Sequence, residues 1–280
     1  MRNHLTTDLL KLKIFPISSL VLHEEIEPAR VERLRQQLQI NFVLRNPPVV
    51  TPLQPNNPET KVMVLDGATR TTALQQLGYQ YIVAQIVDYR NGVYLGSWHH
   101  LLSNAQPNRF YQQLASRFPI RQLSLEEALE LLERRAIACY CSFPDRRIIG
   151  IETDGNLLTL ANRLRALVAL YAEYHPIHRL ASEELEQIIE HQRPQTIVIV
   201  FPTFTPDEIV TIVQSGCCLP TGITRHLITG RALNLNFPLE ILRTPSSLEE
   251  KNQWLDQWLT KKILNNKVRF YPESVFVFDE

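Results

Sequence analysis

Residues 65–74 of this sequence, LDGATRTTAL, combine residue types that are suited to binding an anion. An apolar run ends in Asp66 and Gly67, and a helical pattern begins immediately afterwards. The start of a helix presents unpaired backbone N–H groups and the positive end of its dipole, so it attracts phosphate. Arg70 adds a fixed positive charge with a fork of donors. The stretch indicates either a site for an oxygen-rich ligand or a simple Asp-Gly turn, and the residue types alone leave both open.

The first of these possibilities assigns a role to each position. Gly67 allows close approach of the backbone, the threonines add hydroxyl donors, and Asp66 at the end of its strand suits a magnesium ion. The pattern G-x-x-x-x-G-K-[ST] is absent, so this is not a P-loop. The predicted nucleotide- or phosphate-binding residues are Gly67, Ala68, Thr69, Arg70, Thr71 and Thr72.

Three other places carry candidate residues. The run His23-Glu24-Glu25 precedes a predicted helix, where adjacent carboxylates usually serve as partners of the helix dipole. Residues 219–226, LPTGITRH, contain an arginine and hydroxyl groups that suit a carboxylate ligand, although a surface loop has the same composition. Trp98, which His99 and His100 follow, is either a ligand wall or a core aromatic.

The elements that must position these residues alternate between helices and strands. Apolar spacing predicts helices over 28–38, 68–78, 124–135, 156–174 and 182–191. Apolar runs predict strands over 46–53, 61–66, 81–89, 93–98, 136–143, 146–153 and 196–204. An Asn91-Gly92 turn separates two of these strands, and the pair 136–143 and 146–153 is predicted to form a hairpin. Capping-box patterns begin helices at 124–127, 205–208 and 247–250.

Composition is that of an ordinary globular protein. The chain has 280 residues, of which 44% are apolar and 21% charged, which suggests two domains. We place the boundary in the polar stretch SNAQPNRF, giving domains 1–103 and 104–280. Lys+Arg and Asp+Glu both count 29, so no global positive field exists to hold nucleic acid, and none is predicted as a partner.

Membrane association and a metal role for the cysteines are both disfavoured. No run approaches the roughly 18 apolar residues of a membrane span, and the N-terminus makes a poor secretory signal. The four cysteines occur as CYC and CC, neither with the C-x-x-C spacing of a zinc site. Reduced thiols in a cytoplasmic protein are the prediction.

Together these clusters resemble the ParB/sulfiredoxin superfamily and, within it, the branch of free L-serine kinases. The resemblance covers most of residues 15–100 through LHEE, NPPVV and LDGATRTTALQQLGY, and returns near 219–240. Sulfiredoxin chemistry is excluded because no cysteine lies within residues 1–138. Partition-type proteins of the superfamily typically carry a Gly-Glu-Arg-Arg corner and a helical DNA-binding domain, which this chain lacks. The kinase branch typically has paired histidines where this chain has Ala68 and Thr69.

The resemblance implies an α/β (α+β) fold with a ParB/sulfiredoxin-like N-terminal domain and a second mixed α/β domain. It also implies transfer of a phosphoryl group from ATP or ADP, with Mg²⁺, to the hydroxyl of free L-serine. In that reaction Glu24 is the base, Asp66 is catalytic and binds the metal, and Trp98, Thr224, Arg225 and His226 bind the amino acid. The alternatives are a non-catalytic nucleotide- or effector-binding regulator, a kinase for another hydroxylated metabolite and, less favoured, a DNA-binding partition protein.

Overall fold

The computed structural model describes residues 10–54 and 60–271, and its contacts divide the chain into two units. Unit 1 comprises residues 10–22, 26–93 and 228–271, and unit 2 comprises residues 23–25 and 94–227. This division differs from the expected boundary at residue 103. Residues 228–271 belong to unit 1 because their apolar side chains complete its core.

Unit 1 is built on a five-stranded mixed sheet with the order β1-β6-β4-β5-β2. A second, two-stranded sheet pairs β3 with β14. The strands of this unit are β1 (Leu12–Pro16), β2 (Leu20–Leu22), β3 (Val43–Leu44), β4 (Val49–Pro52), β5 (Val62–Asp66), β6 (Tyr81–Ile86) and β14 (Phe237–Pro238). Its helices are α1 (Pro28–Asn41), α2 (Ala68–Gln76), α8 (Glu240–Arg243) and α9 (Leu248–Leu264), and a 3₁₀ turn covers Ile17–Ser19.

Unit 2 contains a seven-stranded sheet with the order β11-β7-β12-β9-β10-β8, and β13 also pairs with β7. Its strands are β7 (Val93–Leu102), β8 (Ile120–Leu123), β9 (Ile137–Ser142), β10 (Ile148–Glu152), β11 (Ile177–Ala181), β12 (Ile197–Val200) and β13 (Thr224–Ile228). Its helices are α3 (Pro107–Arg117), α4 (Leu125–Glu133), α5 (Leu157–Tyr171), α6 (Leu185–Glu190) and α7 (Pro206–Gln214), with a 3₁₀ turn at Ser182–Glu184.

Most of the local structural features predicted from the sequence are confirmed. All three capping boxes form, at the starts of α4, α7 and α9. Strands β9 and β10 pair antiparallel as the predicted hairpin. The prediction that adjacent strands flank the Asn91-Gly92 turn needs one correction, since β6 pairs with β1 and β4, whereas β7 pairs with β11, β12 and β13. The turn is closed by Asp88, whose carboxylate accepts from Asn91, and the two strands enter different sheets.

None of the helices in residues 10–54 and 60–271 combines the length and apolar character that crossing a membrane requires.

All four cysteines are free thiols; Cys139 and Cys141 are buried in β9. Burial raises the pKa of the Cys139 thiol well above its usual value, so it stays protonated.

We expect Leu255→Ala to reduce the free energy of unfolding by about 2–5 kcal/mol, because it removes a large side chain from a packed core. Leu255 lies in α9 and is fully buried in the core of unit 1, far along the chain from β1 and α1. Urea denaturation measures the change. The exposed neighbour Gln257 provides a control, because Gln257→Ala should change the same quantity by no more than about 0.5 kcal/mol. Equal effects of the two substitutions would contradict the assignment of α9 to the core.

Candidate active site

The predicted strand-to-helix corner forms in unit 1, where β5 ends at Asp66 and α2 begins at Ala68. Gly67 caps the helix with φ of 99°, in the left-handed region that favours glycine. A Cβ atom at Gly67 would also lie 2.9 Å from the Cα atom of Pro48. Glycine is therefore required here for two reasons, the backbone conformation and the close approach of the preceding loop.

Arg70 connects this corner to the loop before β4. Its Nη2 donates to Asp66 Oδ2 at 2.6 Å, and its Nη1 donates to the carbonyl oxygens of Asn46 and Pro47, both at 2.9 Å. Burial lowers the pKa of Arg70, the neighbouring Asp66 carboxylate raises it, and Arg231 lowers it again. An arginine remains protonated after such a shift. Some of the N–H groups of the Arg70 guanidinium are thus already hydrogen-bonded to the protein.

Arg231 is a residue of this corner that no pattern in the sequence identified. Its Nη2 donates to the same Asp66 oxygen that Arg70 contacts. Its Nε is buried and has no hydrogen-bond partner within the described residues. Gln85, buried in β6, holds the loop on both sides of Arg231, donating to Gly230 O at 2.9 Å and accepting from Ala232 N at 2.8 Å. The only signal in the sequence was an arginine following a glycine shortly after the LPTGITRH stretch.

The charges of this group, which we call the Asp66 cluster (Asp66, Arg70, Arg231 and Gln85), favour an anion. Two guanidinium groups and one carboxylate leave one net positive charge beside the start of α2. An unpaired buried donor costs about 1–3 kcal/mol, which a bound acceptor would recover. The Nε of Arg231 is such a donor.

The other predicted phosphate ligands differ in accessibility. Thr71 is buried, and its hydroxyl donates to the Gly67 carbonyl at 3.1 Å within the helix. Ala68 is also buried, whereas Thr69 and Thr72 are partly exposed. The structure therefore leaves Thr69 and Thr72 as the hydroxyl groups of α2 with access to a ligand.

The second group of predicted residues lies in unit 2 and is built around residues 23–25. Leu219 N donates to His23 O at 2.9 Å, and Glu25 N donates to Leu219 O at 2.8 Å. These two bonds form an isolated parallel bridge between Glu24 and Leu219. Glu24 Oε2 then accepts from the backbone N–H of Gly222 at 3.0 Å.

The two adjacent glutamates have different partners. Glu25 accepts from Arg165 Nε at 2.7 Å, in an ion pair in which both side chains are substantially exposed. Glu24 accepts from the backbone of Gly222. A carboxylate held by a neutral amide keeps lone pairs for a further donor, whereas Glu25 already neutralises an arginine.

The predicted substrate-binding residues share this part of unit 2, which we call the Glu24 cluster (His23, Glu24, Trp98, Gly222, Thr224, Arg225 and His226). His23 Nε2 and Thr224 Oγ1 share a hydrogen bond of 2.8 Å. The rings of His23 and His226 meet edge-on with centroids 5.0 Å apart. Burial lowers the pKa of His226 well below its usual value, and the neighbouring His23 lowers it further.

Arg225 lies over the indole of Trp98, with Cζ 4.6 Å from the ring centroid. Its Nη1 donates at 3.3 Å to Glu183, whose side chain is exposed, so this ion pair contributes little to stability. Its Nε is buried and has no hydrogen-bond partner in the described part of the chain. The indole face positions a cation whose inner donor remains available to a carboxylate.

The structure offers fewer side chains for binding a metal ion than for binding an anion. Within residues 10–54 and 60–271, no three His, Cys, Asp or Glu side chains group in a way that could hold a metal ion. Mg²⁺ commonly uses one or two carboxylates together with substrate phosphates and water. A metal role for Asp66 would therefore depend on ligands that a bound nucleotide supplies.

Comparisons with known proteins agree on one class of relative, although no family model matches the chain. The ATP-dependent L-serine kinase of Desulfurococcus mucosus is 33% identical over 239 residues, covering 82% of this chain and 90% of that protein. The ATP-dependent L-serine kinase SbnI of Staphylococcus aureus is 25% identical over 269 residues, covering 96% and 97% of the two chains.

Solved structures show the same fold. SbnI with a C-terminal truncation from Staphylococcus aureus has a TM-score of 0.74 at 24% identity, covering 90% of this chain and 97% of that one. A free serine kinase in complex with AMP has a TM-score of 0.68 at 17% identity, covering 83% and 94%. At these identities the structures establish the likeness of the fold alone.

Two buried histidines beside Trp98 predict how stability depends on pH. Burial lowers the pKa of His99 and of His100 to about 4 each. Because an unfolded histidine has a pKa of about 6.5, the unfolded chain binds more protons below that pH. We expect the free energy of unfolding to fall as the pH drops from 6.5 towards 4, by about 2 kcal/mol per histidine at pH 5.

Urea denaturation at pH 7 and pH 5 measures this loss. His99→Gln should reduce the difference in the free energy of unfolding between pH 7 and pH 5, because glutamine does not titrate. The exposed His178 supplies the control, since His178→Gln should keep the pH dependence of the wild type. A stability that is equal at pH 5 and pH 7 would show that these histidines do not resist protonation.

Proposed function

The chain belongs to the family of ATP-dependent L-serine kinases, and on that premise we propose that it phosphorylates free L-serine with ATP. The observation that carries the proposal is the 33% identity to a named L-serine kinase over 82% of the chain. The serine hydroxyl oxygen forms a bond to the γ-phosphorus, the bond from that phosphorus to the β,γ-bridging oxygen breaks, and the hydroxyl proton passes to a carboxylate. The products are O-phospho-L-serine and ADP.

Glu24 is the proposed base. The Gly222 amide orients the carboxylate of Glu24, which keeps lone pairs that can accept a hydrogen bond from the serine hydroxyl. The adjacent Glu25 is less suited, because it already accepts from Arg165. A positioned carboxylate contributes typically 10²–10⁴-fold to rate as a general base.

Arg225 is the proposed ligand of the serine carboxylate. Trp98 supports its guanidinium, and its buried Nε–H has no protein acceptor in the described residues. Thr224, which His23 holds by a hydrogen bond, offers a hydroxyl to the same small substrate. His226, kept neutral by burial, adds a polar group without a charge that would repel the serine ammonium.

The Asp66 cluster is the proposed phosphate site. Arg70 and Arg231 bring positive charge to the start of α2, where phosphoryl oxygens are favoured. Phosphoryl transfer depends mostly on positioning and charge neutralisation, which arginines provide. Asp66 would hold Mg²⁺ together with the nucleotide phosphates, and when bound the ion would neutralise charge on their oxygens. The site is proposed to operate in the cytoplasm, where ATP and free serine are available.

Incubating the purified protein with ATP, Mg²⁺ and L-serine should give phosphoserine and ADP in equal amounts, measured by mass spectrometry. Glu24→Gln should lower kcat at least about 100-fold, because the proton acceptor is lost, while AMP affinity by calorimetry stays within about twofold. Glu25→Gln is the matched control and should keep kcat within about threefold, since it loses only an exposed ion pair.

Equal losses in the two variants, or wild-type turnover in Glu24→Gln, would contradict the base assignment. Tight nucleotide binding by a wild-type protein that makes no phosphoserine would instead indicate a non-catalytic regulator. Product from another hydroxylated metabolite in preference to serine would redirect the substrate assignment.

We expect Arg231→Met to raise the KM for ATP about tenfold or more, while the KM for serine changes less than about twofold. The reason is that Arg231 is proposed to contact phosphate, where a charge-assisted hydrogen bond is worth about 1.5–3 kcal/mol. Steady-state kinetics with each substrate varied in turn measures the two constants. Arg35→Met removes an arginine that pairs with Glu32 inside α1, and this change should leave both constants unchanged. A parallel rise of both KM values would show that Arg231 has only a structural role.

A further inference from the structure

His100 is a buried residue of β7 whose two ring nitrogens both have partners. Its Nε2 lies 3.1 Å from Gly222 O, and its Nδ1 lies 2.6 Å from the hydroxyl of Tyr171. The ring also packs edge-on against Phe201, with centroids 4.9 Å apart. An imidazole held on three sides has a single orientation.

The partners determine which nitrogen of His100 carries the proton. A carbonyl oxygen only accepts, so Nε2 bears the hydrogen and donates to Gly222 O. In a neutral ring Nδ1 then accepts, and the Tyr171 hydroxyl donates to it. Burial keeps both groups in these states, since it lowers the pKa of His100 to about 4 and raises that of Tyr171 well above its usual value.

Gly222 is the residue that connects His100 with Glu24. Its carbonyl accepts from His100, and its own N–H donates to Glu24 Oε2 at 3.0 Å. Its φ of 75° lies in the left-handed region, and a Cβ atom would overlap the guanidinium of Arg179. Because glycine has the freest backbone of all residues, its own conformation does not fix the direction of this N–H. That direction depends on the contacts of the adjacent peptide, which carries the Gly222 carbonyl.

We infer that His100 is a positioning residue for phosphoryl transfer, which acts by holding the Gly222 backbone so that its amide orients Glu24. The inference rests on the proposed function, in which Glu24 receives the proton of the serine hydroxyl. The order of hydrogen bonds runs from the Tyr171 hydroxyl through His100 and Gly222 to the Glu24 carboxylate. A displacement of about 1 Å at a reacting group can cost 10²-fold in rate, so loss of this support should be measurable.

Two side chains of similar polarity separate this role from simple packing. The amide nitrogen of glutamine reaches about as far as Nε2 of histidine, so His100→Gln retains a donor for Gly222 O. Asparagine reaches only as far as Nδ1, so His100→Asn loses that donor while remaining polar. His100→Met removes both hydrogen bonds and keeps the volume.

His99 is a matched control on the same strand. It is equally buried, its Nδ1 accepts from Phe201 N at 3.1 Å, and its Nε2 shares a 3.0 Å bond with Ser182 Oγ. Within residues 10–54 and 60–271 neither of these bonds reaches Gly222 or Glu24, so His99→Met should cost stability without the same loss of turnover.

The test compares kcat for phosphoserine formation, AMP affinity by calorimetry and thermal unfolding in these variants. We expect His100→Met and His100→Asn to lower kcat about 10- to 100-fold, with the KM for ATP and AMP affinity within about twofold. His100→Gln should recover kcat to within about threefold of the wild type. In the Glu24→Gln background, His100→Asn should lower the residual rate no further, because His100 acts through Glu24.

Several results would overturn the inference. Among them are a kcat in His100→Asn equal to that of the wild type or of His99→Met, and a failure of His100→Gln to recover activity. A full additional loss in the double variant would have the same meaning. The asparagine and glutamine variants remain informative if His100→Met does not fold. Absence of phosphoserine from the wild type would refute the proposed function itself, whereas turnover that depends on Glu24 but not on His100 would refute only this inference.

Discussion

One oxygen of the Asp66 carboxylate accepts hydrogen bonds from two arginines, and the arrangement of unit 1 around α2 depends on this shared acceptor. Arg70 reaches from Asp66 to the loop before β4, and Arg231 belongs to the segment between β13 and β14. Three separate parts of the chain are thereby fixed to the end of β5. Removing the carboxylate would leave two like charges close together, which is costly when the groups are partly buried.

The two clusters differ in how they handle charge. The Asp66 cluster retains a net positive charge and a buried guanidinium donor without a protein acceptor in the described residues, both of which suit phosphate. The Glu24 cluster contains His226, and its Gly222 accepts from His100; burial lowers the pKa of both imidazoles and keeps them neutral. A neutral ring can specify direction through hydrogen bonds without altering the charge around a carboxylate, and this separates positioning from electrostatics.

Ala68 and Thr69 stand where the resemblance to the free L-serine kinases implies paired histidines. Ala68 is buried at the first position of α2, and Thr69 is partly exposed beside it. Positive charge at the corner comes from Arg70, which lies in the matching motif, and from Arg231, which lies outside it. Arginine is always charged, so it neutralises phosphate without dependence on pH near neutrality.

Much of the local structure could be predicted from sequence because its causes are local. The capping boxes, the Pro28 helix and the β9–β10 hairpin follow from residues within a few positions of each other. The residues Asp66 and Arg70, which the structure pairs, also lie only four positions apart, so their residue types alone indicated either an anion site or an Asp-Gly turn.

Other features depend on contacts between residues that are distant in the chain. Sequence alone determined the strand-to-helix corner, the glutamate pair and the Thr224-Arg225-His226 run, together with the resemblance that connects them. Only the tertiary structure decided that Arg231 shares the carboxylate of Asp66, that Glu25 pairs with Arg165 while Glu24 accepts from Gly222, and that residues 228–271 complete unit 1. The reason is physical, since hydrogen bonds and burial depend on distance in space, and a pattern read along one chain records only neighbours in sequence.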